Sequence, residues 1–361
     1  FMKGLGLTGA TLGAVGLVAP NFHDLDEVMS SVTEIGAPKP WYVKEREAFN
    51  PTNDVDWDAI KRVDKVERKT WTYTPSREKA TPEEYEAMAE KIEPGLNWLD
   101  PRRQAMQSAA AASGFTSSHT YGSWLGDIKS TTPTNYPKWV GKPEENLRLL
   151  TGAARFVGSN GVGALERDEH LMKMIWKNDG TYEYVFDSSI SAPEEVKTAP
   201  RQRKIPDTYN WGFVWILRQP MDATMRQIGG GGKSDKNPLG LAENFAMRIS
   251  YTRLNWLEDQ IQRFLRGLGY QGVAGGMSGN YPGNAWGIMS GWMEMCRMGE
   301  PALVPGWGVT TRGSYKMITD LPLAPGKPID FGAFEFCKTC AICAEYCPSE
   351  CIQKGDPTCQ G

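Results

Sequence analysis

Six of the seven cysteines fall in the last 25 residues, and nothing else in the sequence restricts the fold as much. Four of them, Cys337, Cys340, Cys343 and Cys347, are spaced C-x2-C-x2-C-x3-C and followed by Pro348. Three thiolates at two-residue spacing can wrap one inorganic cluster from a tight turn, and a proline turns the chain away after the fourth. The run is that of a bacterial ferredoxin, so Cys337, Cys340 and Cys343 are expected on a first 4Fe-4S cluster. Cys347 is expected on a second, because the fourth cysteine of such a run ligates the neighbouring cluster. A structural zinc site calls for two separated C-x2-C pairs instead. The remaining cluster ligands are expected beyond Gly361. Cys351 and Cys359 fit no motif, and Cys296 reads as a small buried hydrophobe.

The chain begins with a lysine and a short stretch rich in Gly, Ala and Thr, FMKGLGLTGATLGAVGLVAP. At about 16 apolar or small residues this is too short for a membrane span and suits the apolar region of an export signal. Phe1-Met2-Lys3 resembles the end of the twin-arginine consensus, which places export by that route among the expectations. Export and thiolate clusters conflict unless the protein folds before it leaves, since exported thiols otherwise oxidise to disulfides. Forty Lys and Arg against 43 Asp and Glu leave a net charge of -3 with no basic run. Such a surface does not neutralise phosphates, so nucleic acid is not an expected partner. The 13 tryptophans suggest broad flat apolar surfaces, most of them core.

Local patterns outline an α+β chain. Residues 1–20 are the signal remnant, 21–140 a Trp- and Pro-rich region, 141–325 the core and 326–361 a partial cluster module. Thr81-Pro82-Glu83-Glu84 starts a helix that Pro94 ends, and Pro143-Glu144-Glu145 starts another. Its apolar stripe, Leu147, Leu150 and Ala154, leads into a strand within GSNGVGALER. Trp211 to Leu217 reads as a buried strand, Leu241 to Arg266 as a helix closed by Gly267, and Tyr270 to Ala274 as a further strand. Gly229 to Gly232 lacks the spacing of a phosphate loop and reads as a plain loop.

Four stretches together resemble the reductive dehalogenases: FMK at the start, PWYVKEREAFNPTNDVDW at 40–57, RFLRGLGYQGVAGG at 263–276, and ITDLPLAPGKPIDFGAFEFCKTCAICAEYCP at 318–348. The resemblance implies a nitroreductase-like core that buries a base-off cobamide beside a truncated C-terminal ferredoxin-type module. It implies cob(I)alamin-dependent removal of halide from small organohalides, chlorinated ethenes, ethanes or aromatics, with electrons arriving through two 4Fe-4S clusters. An upstream electron donor, a small membrane-anchor protein and a peripheral position on the outer face of the cytoplasmic membrane are implied as well. The sequence has no D-x-H-x-x-G, and its histidines are His23, His119 and His170, which agrees with a cobamide not ligated by histidine.

Reductive dehalogenation consumes two electrons and one proton, so a proton donor near the carbon and a cation beside that donor are needed. A tyrosine, with a reference pKa of about 10, stays protonated at neutral pH, and an adjacent arginine stabilises the phenolate left behind. The resemblance points to Tyr251 as the donor and to Arg312, some sixty residues later, as the cation. Asn280 is implied as the polar residue beside the substrate. Arg297 is the second choice for the cation, and Arg253 reads as solvated. Two rival readings remain at this level. One is an epoxyqueuosine-reductase-like cobamide enzyme, which the signal-like N-terminus and lack of a basic surface disfavour. The other is an exported iron-sulfur electron-transfer protein without cobamide.

Overall fold

The computed structural model describes residues 39–66, 138–221, 224, 245–274, 281–299, 302–345 and 352–356. All described residues belong to the unit Lys39–Gly361. The expected signal remnant, the helix at Thr81 and the loop at Gly229 lie outside the described residues.

After the short strand β1 (Lys44–Glu45), helix α1 (Pro143–Phe156) begins where the sequence places it. Proline stands in its first turn, which needs no N–H there, and Glu144 and Glu145 meet the positive end of the helix. Its buried stripe, Leu147, Leu150 and Ala154, lies on one face of the helix, as a 3.6-residue period requires. Strand β2 (Gly161–Glu166) and the short helix α2 (Glu169–Lys173) follow. Asp168 caps α2, accepting from the backbone N–H of His170 and Leu171.

A small sheet in the order β3-β5-β4 then forms from β3 (Glu183–Asp187), β4 (Glu194–Val196) and β5 (Gln202–Pro206), with β3 and β5 parallel. The central sheet is completed by β6 (Trp211–Arg218), helix α3 (Phe245–Gly267), β7 (Gly272–Ala274), helix α4 (Gly283–Met289) and β8 (Thr311–Thr319). Its order is β2-β6-β8-β7, antiparallel throughout. Antiparallel strands with helices packed on them agree with the α+β expectation.

Alternation along β6 builds two cores. Phe213, Trp215 and Leu217 pack with α1 and α3, whereas Val214 and Ile216 pack with α4. Glycines let the α4 side approach closely. A Cβ at Gly161 would stand 2.0 Å from the Trp292 ring, and one at Gly212 would stand 2.5 Å from Trp286. Part of the glycine and tryptophan content is thereby explained as one packing device: flat indoles laid on bare backbone.

The chain ends its described course with β9 (Ile329–Asp330), helix α5 (Ala333–Cys340) and helix α6 (Ile342–Glu345). β9 pairs with β1, so residues near the start of the described chain adjoin the cysteine segment. Among the described residues no helix is long and apolar enough to cross a membrane.

Candidate functional site

Helix α5 carries Cys337 and Cys340, three residues apart and therefore on one face. Ala341 then adopts a left-handed backbone, φ 46°, which breaks the helix and turns the chain before α6 brings in Cys343. All three are free thiols of intermediate exposure. Burial pushes the Cys343 thiol up, a nearby Cys337 adds to the rise, and the Arg297 guanidinium opposes it. Cys296 is buried, as expected, and its thiol is raised by that burial and by Cys337 and Cys343. Among the described residues no three His, Cys, Asp or Glu side chains converge closely enough to hold a single metal ion. Three cysteines flanking one turn supply the donor type that a thiolate-held cluster would need. Cys347, Cys351 and Cys359 lie outside the described residues.

Two neighbouring residues that sequence reasoning assigned no such role organise this segment. Glu294 is 1% exposed. Its carboxylate accepts from the backbone N–H of Phe331 at 2.9 Å, Ala333 at 3.2 Å and Phe334 at 2.9 Å. The guanidinium of Arg297 donates to the carbonyls of Cys337 at 2.9 Å and Lys338 at 3.2 Å, and to those of Gln353 and Gly355 at 2.7 Å each. Arg297 is thus committed to the cysteine segment, which corrects its standing as a candidate for the substrate-side cation. Nothing local in the sequence signals either contact, because the partners lie 37 to 58 residues away.

Tyr251 sits on α3, partly buried against the core that holds Phe213, Trp215, Tyr315 and Met317. Arg253 is exposed, as expected. Arg312 is the second residue of β8, which packs against α3. The register there is irregular: Ile216 pairs with Ser314 but Arg218 with Thr311, so three steps along β8 match two along β6. Arg312 and Gly313 therefore form a β-bulge, a feature that breaks strand alternation and re-aims side chains beside active sites. Asn280 lies outside the described residues. Tyr251 and Arg312 are thus on adjoining elements.

Two further charged residues are buried in these same elements, Glu258 on α3 at 3% exposed and Lys316 on β8 at 5%. Burial of such groups is rare without a role or partner, and the sequence hides both within otherwise ordinary amphipathic wording. Fully buried Trp215, in the same layer as Tyr251, has an indole N–H with no partner among the described residues. That orphaned donor chemically matches the amide-rimmed edge of a corrinoid. His170 is accounted for by packing: its ring bonds Asp168 at 2.7 Å and stacks on Phe49 at 5.0 Å between centroids. A surface groove of about 620 Å³ between α1 and α3, lined by Phe156 and Phe264 among others, holds none of the expected site residues.

No family model matches the chain. It is 32% identical to the chloroethene reductive dehalogenase of Dehalococcoides mccartyi, an alignment covering 99% of this chain and 79% of that protein. The chain belongs to the reductive dehalogenase family. A trichloroethene reductive dehalogenase of the same species is 30% identical, over 99% of this chain and 80% of the other. Reductive dehalogenases are oxidoreductases, so the chain is placed among enzymes. A solved reductive dehalogenase structure, reported as suggesting a mechanism for B12-dependent dehalogenation, superposes with a TM-score of 0.53 at 20% identity. It covers 86% of this reductive dehalogenase chain and 38% of the solved one, so the chain spans well under half of that protein's length. At that identity the likeness concerns the fold alone.

Proposed function

We propose that this reductive dehalogenase removes halide from small organohalides, chlorinated ethenes first among them. The balanced change is R–X + 2e⁻ + H⁺ → R–H + X⁻. The alignment to a chloroethene reductive dehalogenase over nearly the whole chain carries this reading.

A base-off cobamide, when bound, supplies the strongly reducing metal that the carbon–halogen bond requires, and two 4Fe-4S clusters supply its electrons. Cys337, Cys340 and Cys343 would hold the first cluster and Cys347 would contribute to the second, while Trp215 offers a donor to the corrinoid edge. The chain's own part of the chemistry is assigned to three residues. Tyr251 gives the proton from its phenol oxygen. Arg312 holds the resulting phenolate and the departing halide by charge. Asn280 orients the substrate by hydrogen bonding. The core around Trp215 and Tyr315 keeps water away from the reacting carbon. Export by the twin-arginine route, docking on a small membrane protein at the outer face and supply by an upstream donor complete the proposal.

The test is halide release from chlorinated ethenes by the full-length protein, purified anaerobically and given a chemically reduced low-potential donor. Wild type releases halide, and Tyr251→Phe, which keeps the ring and removes the proton, is expected to lose about 10²–10⁴-fold in kcat with an unchanged Tm. A cofactor-loaded wild type that releases no halide from ethenes, ethanes or aromatics would sink the reading.

A further inference from the structure

Helix α5 has a problem at each end. Its N-cap is Gly332, which has no side chain to satisfy the first N–H groups, and its last carbonyls face a left-handed break at Ala341. Unsatisfied terminal groups are costly, and they are also where the helix carries its partial charges, positive at the start and negative at the end. One short stretch meets both needs. The Glu294 carboxylate takes three N–H groups at the start of α5, from Phe331, Ala333 and Phe334. Arg297, three residues on, takes the Cys337 and Lys338 carbonyls at its end. Each charge is opposite in sign to the helix end it meets.

The stretch itself is fixed. Glu294 exchanges both backbone hydrogen bonds with Leu303 at 2.9 Å, and the adjacent Met293 is fully buried in the α4-side core. Arg297 also reaches past α5 to the Gln353 and Gly355 carbonyls, so one guanidinium ties the first cysteines to the chain that follows the motif. Burial does little of this work, since Ala333 is the one buried residue of α5.

We infer that Glu294 and Arg297 form a two-ended clamp on the cysteine helix, and that Arg297 is a positioning residue that raises the reduction potential of the cluster held by Cys337, Cys340 and Cys343. The inference rests on the cluster reading above. A cluster gains negative charge on reduction, and a fixed cation close to its thiolates stabilises that charge; net charge and polar surroundings are what set such potentials. Hydrogen bonds spread over four carbonyls hold the guanidinium in place and limit its freedom to turn toward solvent.

The test compares the anaerobic full-length wild type with Arg297→Gln, Arg297→Lys and Glu294→Gln by iron content, by rate of iron loss to a chelator, and by a potentiometric titration followed by electron paramagnetic resonance. Arg297→Gln is expected to make one cluster about tenfold harder to reduce, about 59 mV for a one-electron couple, while the other cluster stays put. Arg297→Lys, which keeps the charge and loses the fork of donors, should restore most of the potential while losing iron faster than wild type. Glu294→Gln should lose iron faster with a smaller potential change. If Arg297→Gln retains no cluster, Arg297→Lys decides: faster iron loss upholds the clamp, and wild-type iron loss overturns it. Clusters in every protein with unchanged potential and iron loss would overturn the clamp alone. A wild type without any cluster signal would overturn the cluster reading beneath it.

Discussion

In the central sheet, Phe213 to Leu217 of β6 are at most 1% exposed and lie between two apolar layers. The cysteine helix α5, by contrast, leaves Phe336 64% exposed and hangs on charged groups from Glu294 and Arg297. The small sheet β3-β5-β4 adds polar contacts of the second kind to its buried Tyr184 and Ile205: Arg203 pairs with Asp179 at 2.8 Å and Glu195 at 3.1 Å, and Lys204 with Asp187 at 3.0 Å. A region built by burial is insensitive to charge and intolerant of volume change. One built by polar contacts can be adjusted in potential or geometry without touching the core, which suits the electron-passing role proposed for the cysteine segment. The cost is sensitivity to pH and to single charged residues.

The sharpest way to break this contrast is in the sheet. Trp286→Ala empties a fully buried site over Gly212 and is expected to cost about 3–5 kcal/mol, read as a drop in Tm and in denaturant midpoint for the whole fold. A loss under about 1 kcal/mol would mean that the indole is not a keystone. Gly161→Ala overfills a tight approach to Trp292, with an expected loss of about 1–3 kcal/mol in the same denaturation curves. Asp168→Ala removes the α2 cap and should cost about 1 kcal/mol by chemical denaturation.

The smallest effect is one of pH, and it belongs to the small sheet. Ser189, and then Lys204, hold the Asp187 carboxyl down at about 2. With the folded value below the ordinary 3.8, its stabilisation is present above about pH 4 and is lost as pH falls toward 2. Amide protection factors in β3 and β5, corrected for the intrinsic exchange rate, should therefore fall over that window ahead of those in β6, and Asp187→Asn should flatten the dependence. Simultaneous loosening of β6 would erase the distinction between the two regions.

The same contrast explains how much was legible. Helix α1, strands β2 and β6, and helix α3 were readable because burial writes a period of 3.6 or a run of apolar residues into the sequence. Strand β8 was missed. Its wording, Thr311-Arg312-Gly313-Ser314-Tyr315-Lys316-Met317, mixes polar residues into a central strand, and its bulge shifts the alternation that would have revealed a face. The small sheet was missed because Gln202 to Lys204 and Glu194 to Val196 are short and charged, with parallel pairing across the intervening β4. The cysteine motif stands out through spacing alone, whereas Glu294 and Arg297 act across 37 to 58 residues and leave no local trace. Tyr251 and Arg312 entered through family resemblance, and the structure adds the bulge at Arg312, which no periodicity reveals.

The measurement that bears most directly on the central claim is the corrinoid and iron content of the anaerobically purified full-length protein. A reductive dehalogenase built on this core should carry about one corrinoid and about eight irons per chain. About eight irons with no corrinoid, even after refolding with added cobamide, would contradict the account and leave an exported iron-sulfur electron carrier.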